Sequence, residues 1–458
     1  DTAKSLIDGC EIVMNASHDI GQYLPLLNED IVDITMIEAQ GGSIHGGYNT
    51  IATQSRYART LGKPFQIVNV RFHQGWGAMT MKTAEQMKYE FILAAAHGGQ
   101  VICGDQGAWD GTLYPSVYDN IAAVFSFLKD RHEFFVDYQA VKSIALLYGE
   151  ESPFPYSAEF PPQLMGGAKA LTELHQQFDI ININHLDQIS GYKLLWIPSG
   201  TKLTEKQAEQ ISEYVMHGGN LYLEYDAGIN PESCRIMNEL SACSFVGFAN
   251  FNCSYVANSE TKEFPLLVTE PMMLIKNKNA EVLKYAFQPI TEHNPPLKAF
   301  RHLYPTPEFH EQYIGMTFNQ TYSGGGKVIR SAFPLFKVYW QDNFYWIRTV
   351  LAETLDAFAL ERPYNVVAPS TVEFNMTEKD NVKILHCINF HTAKTSTSSY
   401  SCIEEVLPVD IKFEIPLSDA PGSLILQPDG TKIEFVYKDG ILQFSITLRD
   451  THSAIEIR

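Results

Sequence analysis

Cysteine is scarce in this chain: seven in 458 residues, an odd number with no C-x-x-C pair. That excludes a disulfide-stapled scaffold and the usual zinc-ribbon spacings, and a reducing, cytoplasmic setting is the expectation. Positive charge is also short. Thirty-four Lys plus Arg stand against fifty-three Asp plus Glu, a net charge of −19, with no basic cluster along the chain. Neither nucleic acid nor an anionic membrane is therefore expected as a partner. No apolar run reaches 18 residues, and the N-terminus lacks the basic, apolar and small-residue regions of a signal peptide, so no membrane span is expected. The chain opens on Asp1 rather than Met, which leads us to expect residues upstream. Phosphate loops, dinucleotide fingerprints and H-E-x-x-H are missing too, so no cofactor and no metal is expected. What remains is 45 % apolar and 19 % charged without low-complexity tracts, a composition that buries enough surface to fold. At roughly 150 residues per domain the length predicts about three domains.

The first part, residues 1–135, repeats one unit: a β-branched run ending in polar residues or glycine, then a helical stretch. The runs are CEIVMNAS, IVDITMIEA, PFQIVNVRF and QVICGDQ, separated by stretches such as MKTAEQMKYEFILAAAHGG with its terminal glycine pair. Successive β-α units predict a parallel sheet, with polar residues at its C-terminal edge, where β/α barrels carry their sites. Four units make half a barrel. Residues 136–362 show a second, open α/β rhythm through KSIALLYG, YKLLWIPSG, TEKQAEQISEYVMHGG and LYLEYD, followed by β-rich runs expected to form an appended sheet and by the helix YWIRTVLAETLDAF. After Pro363 only short alternating strands remain, punctuated by Pro428-Asp429-Gly430 and Asp439-Gly440. Residues 363–458 therefore read as a β-sandwich.

VRFHQGWG, KYEFILAAAHGGQVICGDQ and LYPSVYDNIAAVFSFL resemble the closing strands of the TIM barrel in a group of bacterial glycoside hydrolases. The stretch YKLLWIPSGTKLTEKQAEQISEYVMHGGNLYLEYDAG is similar to the trimerisation domain of family 42 β-galactosidases, a relative of the class I glutamine amidotransferase fold. EEVLPVDIKFEIP resembles their terminal β-sandwich. The F-H-x-x-W-G and G-D-Q endings look closer to the α-L-fucosidase-like branch. The resemblance implies a cofactor-free hydrolase of terminal sugars, a homo-oligomer (dimer or trimer) through the middle domain, and a barrel whose first four units, with the nucleophile, lie outside this sequence. β-Galactosidase chemistry is a weaker reading, because the run matching the seventh strand ends VNVRFHQGWG without a carboxylate.

Glycosidases need two carboxyl groups about the scissile bond. Glu38 follows the apolar run ITMI and precedes GGSIHGG, a place that suits a general acid/base; the bland alternative is a carboxylate holding loop amides. Asp105 in CGDQ is the candidate second carboxylate, or else a loop cap. His73 and Trp76 offer a sugar a hydrogen bond and an apolar face, or are a satisfied rim histidine and a packed ring. Asn15, His18, His45, Tyr48, Trp109 and Tyr114 complete the expected substrate-binding set. Glu90, inside an apolar helix, is expected to make a structural ion pair, for instance with Arg71. The middle domain shows no cysteine at a strand-to-helix elbow, so it is expected to be non-catalytic, and Cys234, Cys243 and Cys253 are expected to be free thiols. A reading from a different class remains open: a non-catalytic carbohydrate-binding or scaffold protein.

Overall fold

The computed structural model describes residues 9–15, 32–39, 49–73, 80–149, 160–257, 264–290, 304–309, 312–320, 325–392 and 403–458. Strands β1 (Val13–Asn15), β2 (Ile34–Glu38), β3 (Phe65–Val70) and β4 (Gln100–Gly104) lie in that order in one parallel sheet. Helices α1 (Asn49–Ala58), α2 (Ala84–Ala96) and α3 (Pro115–Lys129) alternate with them. The strand period of two sorts the side chains. Ile37, Phe65 and Ile67 join a core with Ile51, Tyr57, Met87 and Phe91 of the helices. Ile34, Met36, Glu38, Val68 and Ile102 take the opposite face. Thr83 Oγ1 caps α2 by accepting from the Gln86 N–H, and the chain leaves that helix through Gly98 at φ 90°, a left-handed turn that glycine adopts without strain.

After β5 (Gln139–Ala140), the parallel strands β6 (Ile144–Tyr148), β7 (Phe178–Asn182), β8 (Leu194–Ile197) and β9 (Asn220–Glu224) alternate with α4 (Pro162–Glu173), α5 (Glu205–Met216) and α6 (Cys234–Leu240). Then come β10 (Cys243–Phe248), β11 (Ser254–Ala257), β12 (Leu266–Val268), β13 (Met273–Asn277), β14 (Glu281–Phe287), β15 (Ile314–Gln320) and β16 (Lys327–Ser331), closed by α7 (Leu335–Asp342) and α8 (Tyr345–Phe358). The β-rich run is not a separate sheet, as the sequence had suggested. β16 pairs in parallel with β9, and β15, β14, β11 and β12 continue antiparallel, giving one sheet of nine strands among the described residues; β10 and β13 stand apart as a ribbon. The glycine pair of α4 has a packing role. A Cβ at Gly166 would lie 1.9 Å from the Phe336 carbonyl oxygen, so only glycine lets α4 approach α7 this closely.

The last region holds β17 (Asn365–Val367), β18 (Val372–Lys379), β19 (Val382–Asn389), β20 (Val409–Pro416), β21 (Leu424–Gln427), β22 (Thr431–Lys432), β23 (Val436–Lys438), β24 (Ile441–Leu448) and β25 (His452–Ile457). They form two facing sheets, β17-β20-β24-β23 and β22-β21-β25-β19-β18-β5, around Phe374, Leu385, Phe413 and Ile455. β5 pairs with β18, and Phe134 packs with Ile384 and Ala454. The connection near residue 135 thus lies on the sandwich rather than hanging between domains.

A buried polar knot joins all three regions. Arg56 Nη2 donates to Glu373 Oε1 at 2.8 Å, and Arg59 reaches Asp179 Oδ1 at 2.5 Å, the Phe178 carbonyl at 2.8 Å and Asn375 Oδ1 at 3.2 Å. His97 Nε2 lies 2.7 Å from Glu373 Oε1, and its Nδ1 lies 3.0 Å from Arg59 Nη1. A carboxylate only accepts and a guanidinium only donates, so His97 carries its proton on Nε2. Burial and the neighbouring Arg56 keep it neutral, with a pKa brought down to about 3. Burial alone would raise the Glu373 carboxyl, but Arg56 and the His97 hydrogen bond outweigh it and bring it to about 2.

Candidate active site

The C-terminal edge of the parallel β/α sheet collects Asn15 from the end of β1, Glu38 from the end of β2, Arg71 and His73 from beyond β3, and Asp105 from beyond β4. Glu38 is half-buried. It is in register with Val68, which pairs with Ile102, so its carboxylate stands on the face turned away from the helices. Asn15 Nδ2 donates to Glu38 Oε1 at 2.8 Å. Two adjacent strands thereby fix one carboxylate oxygen.

Asp105 is engaged differently. Its Oδ1 accepts from Arg71 Nε at 2.5 Å and from the Gln106 N–H at 2.7 Å, and the Tyr118 hydroxyl of α3 also reaches it. Slight burial pushes the carboxyl up, yet these hydrogen bonds prevail and hold it below the ordinary range. Arg71 Nη1 donates to the Thr80 carbonyl at 2.9 Å, and its guanidinium lies 4.2 Å over the Phe72 ring. The Arg71–Asp105 pair therefore ties β3, the chain at Thr80, β4 and α3 together, with Asp105 turned toward the helix layer. His73 donates its backbone N–H to Thr80 Oγ1 at 2.9 Å. Its imidazole pKa is lowered by burial and by the Lys82 charge, which leaves a neutral ring able to donate and accept.

Tyr114 is the residue before α3 and is 40 % exposed, while Trp109 is 98 % exposed. Asn15, Glu38, His73 and Asp105 thus share one edge, with Trp109 and Tyr114 on the connection that leaves β4. His18, His45, Tyr48 and Trp76 lie outside the described residues.

Glu90 pairs with Lys82 rather than Arg71. Lys82 Nζ lies 2.7 Å from Glu90 Oε2, Asn69 Nδ2 donates to the same oxygen at 2.5 Å, and Gln86 Nε2 reaches Oε1 at 3.0 Å. Both charges are wholly buried, and the competing guanidinium of Arg71 is held by Asp105. This knot sits behind His73. The sequence carried a signal for it in Gln86 and Glu90, polar residues one turn apart on an otherwise apolar helix.

In the middle region the strand order places β6 beside both β7 and β8, and ligands of open α/β sheets bind at such a reversal. The small hollow there is lined by Gly149, Ser199, Gly200 and Thr201. Among the described residues no cysteine lines it. Nearby, the wholly buried Glu224 accepts from the Ser199 N–H at 3.0 Å and the Phe336 N–H at 2.6 Å; burial raises its carboxyl to about 8. Its observed work is to hold the loop at Ser199 to the start of α7. Among the described residues no group of three or more His, Cys, Asp or Glu is placed to hold a metal, and no helix is long and apolar enough to cross a membrane.

No family model and no curated protein sequence matches the chain. Solved structures do. The chain superposes on α-L-fucosidase isoenzyme 2 from Paenibacillus thiaminolyticus with a TM-score of 0.86 and 19 % identity, covering 99 % of this chain and 69 % of that one. A GH42 β-galactosidase from G. stearothermophilus matches with a TM-score of 0.69 and 15 % identity over 100 % of this chain and 65 % of its own. The β-galactosidase from Bacillus circulans sp. alkalophilus gives 0.69 and 15 % over 99 % and 64 %. The fold is that of these glycoside hydrolases. Of their length the chain spans between 64 % and 69 %.

Proposed function

We propose that the protein hydrolyses O-glycosidic bonds of terminal sugars, with an α-L-fucoside as the substrate class and Glu38 as general acid/base. The observation that carries this reading is the placement of Glu38: a half-buried carboxylate on the face away from the helices, at the C-terminal strand edge, oriented by Asn15 at 2.8 Å. That edge is where β/α enzymes assemble their chemistry. Likeness to the fucosidase fold supports the sugar class, and the end of β3 in Arg71, Phe72 and His73, without a carboxylate, sets back the β-galactosidase alternative. His73 is assigned a hydroxyl of the sugar. Asp105, held by Arg71, is assigned to shaping the rim. The resemblance puts the nucleophile outside this sequence, and it is to be sought by covalent trapping and peptide mapping. Unpaired Cys10, Cys103, Cys234, Cys243, Cys253 and Cys387 fit the proposed cytoplasmic setting, and the middle domain is proposed to assemble the oligomer.

The test is release of the aryl group from a panel of aryl glycosides. Turnover of the unactivated phenyl α-L-fucoside that falls by at least ~100-fold in Glu38→Gln is the result expected of a general acid; an unchanged rate on that substrate removes Glu38 from the role. A second reading is a sugar-binding protein without turnover. Saturable sugar binding with no product from any glycoside would establish it.

A further inference from the structure

Tryptophan carries a large apolar ring, and leaving it in water forgoes a burial worth more than that of most side chains. Trp196 is wholly buried here, and Trp340 and Trp346 are half-buried. Trp109 is 98 % exposed. The turn that carries it is closed by its own hydrogen bonds: the Ala108 N–H donates to the Thr112 carbonyl at 2.9 Å, the Gly111 N–H to the Ala108 carbonyl at 2.9 Å, and the Thr112 N–H to Asp110 Oδ1 at 3.0 Å. Gly111 sits at φ 84°, which glycine adopts without strain. The indole thus stands on a fixed backbone, and little ordering is left to be done when a ligand settles on it. Leu113, 55 % exposed, and Tyr114, 40 % exposed, continue the apolar surface toward α3.

Its place relative to Glu38 follows from the sheet. Glu38 pairs with Val68 and Val68 with Ile102, so β2 and β4 are two strand spacings apart, ~10 Å. Glu38 is the last residue of β2, whereas Trp109 comes five residues after β4 has ended. A terminal sugar with its glycosidic oxygen at Glu38 and a hydroxyl at His73 lies at the level of the strand ends. Whatever is attached to it leaves outward, past the turn that carries the indole. An indole face matches the C–H face of a pyranose ring.

We propose that Trp109 is the platform for the leaving-group sugar: its ring stacks on the pyranose next to the terminal fucose, with Leu113 and Tyr114 extending the ledge. The inference rests on the hydrolase reading of the Glu38 edge and deepens it. The substrate narrows from fucosides at large to fucose joined to a second sugar ring. Trp109 touches no reacting atom, so it holds substrate and transition state alike and acts on KM rather than on kcat.

The test compares wild type, Trp109→Ala and Trp109→Phe on a fucosyl disaccharide and on α-L-fucosyl fluoride, whose leaving group has no ring. Trp109→Ala is expected to lower kcat/KM for the disaccharide roughly tenfold, through KM, and to leave the fluoride within about twofold of wild type. Trp109→Phe is expected to recover part of the loss, and neither variant to change the thermal midpoint. Equal losses on the two substrates, no loss on the disaccharide, or a loss carried by kcat would each overturn the proposal. Wild type that turns over neither substrate sinks the hydrolase reading instead, and the platform is then judged by binding. A change in indole emission on adding the disaccharide but not fucose, present in wild type and absent in Trp109→Phe, sustains it; no such change overturns it.

Discussion

Replacing Glu373 with glutamine removes the counter-charge from Arg56 at the junction of the three regions. The Arg56 side chain is 2 % exposed, its Nη2 rests on Glu373 Oε1 at 2.8 Å, and among the described residues its Nε and Nη1 have no hydrogen-bond partner. Phe178 lies under the guanidinium at 4.1 Å and offers only a ring face. In Glu373→Gln the cation therefore stays buried with one neutral acceptor, and His97 loses the carboxylate that fixes its Nε2 proton. Breaking a buried pair from one side costs about 3–5 kcal/mol, roughly a fifth or more of the ~5–15 kcal/mol that a domain has. Urea unfolding followed by fluorescence and circular dichroism reads the loss. The double variant Arg56→Met, Glu373→Leu removes both charges and keeps apolar volume, and it is expected to recover most of the loss. A single-variant loss below ~1 kcal/mol, or a double variant no better than the single, refutes the reasoning.

Three further outcomes are expected. His97 and His386, brought to about 3, and His452, lower still than its ordinary value, all stay neutral through burial. The unfolded chain takes up those protons below about pH 6.5, so their stability is fully present above 6.5 and falls on acidification at up to roughly 1.4 kcal/mol per pH unit for each group. Glu373, depressed from 4.5 to about 2, adds a loss of the same sign below pH 4.5; urea midpoints flat from pH 7 to 4 would contradict the histidine effect, and midpoints flat from pH 4.5 to 2 the glutamate effect. Gly166→Ala, which in an open helix would stabilise by up to ~1 kcal/mol, is expected to destabilise by ~1–3 kcal/mol through the 1.9 Å approach to Phe336, measured as a lower melting temperature. Glu90→Gln strands Lys82 at zero exposure and is expected to cost ~3 kcal/mol, while Arg71→Leu, which frees only the partly exposed Asp105, costs less; a reversed order in urea midpoints would show that the wrong pair had been assigned.

The strands and helices were legible because period and punctuation agree locally. β20 alternates buried and exposed residues from Val409 to Ile415, and α5 begins at Thr204 with a capping box closed by Gln207. What local pattern cannot encode is partnership between distant segments. The β-rich run after residue 245 reads the same whether it forms its own sheet or extends another, and only the parallel pairing of β16 with β9 decides it. Arg56 and Arg59 read as the basic end of an ordinary helix, since their partners Glu373, Asp179 and Asn375 lie more than a hundred residues away. At the candidate site, Glu38 and Asp105 both stood out as carboxylates ending strands. Their different surroundings, Asn15 for one and Arg71 with Tyr118 for the other, follow from strand order and face, which the sequence does not state.

The most direct test of the hydrolase account compares two leaving groups in wild type and Glu38→Gln. A general acid is needed when the departing alcohol is basic and is nearly dispensable when it is an activated dinitrophenol. The account predicts turnover of both a fucosyl disaccharide and a dinitrophenyl fucoside by the wild type, a loss of at least ~100-fold in kcat/KM for the disaccharide in Glu38→Gln, and a kcat/KM for the dinitrophenyl fucoside within a few-fold of wild type. Equal losses on the two substrates, or no wild-type turnover of either, would contradict it.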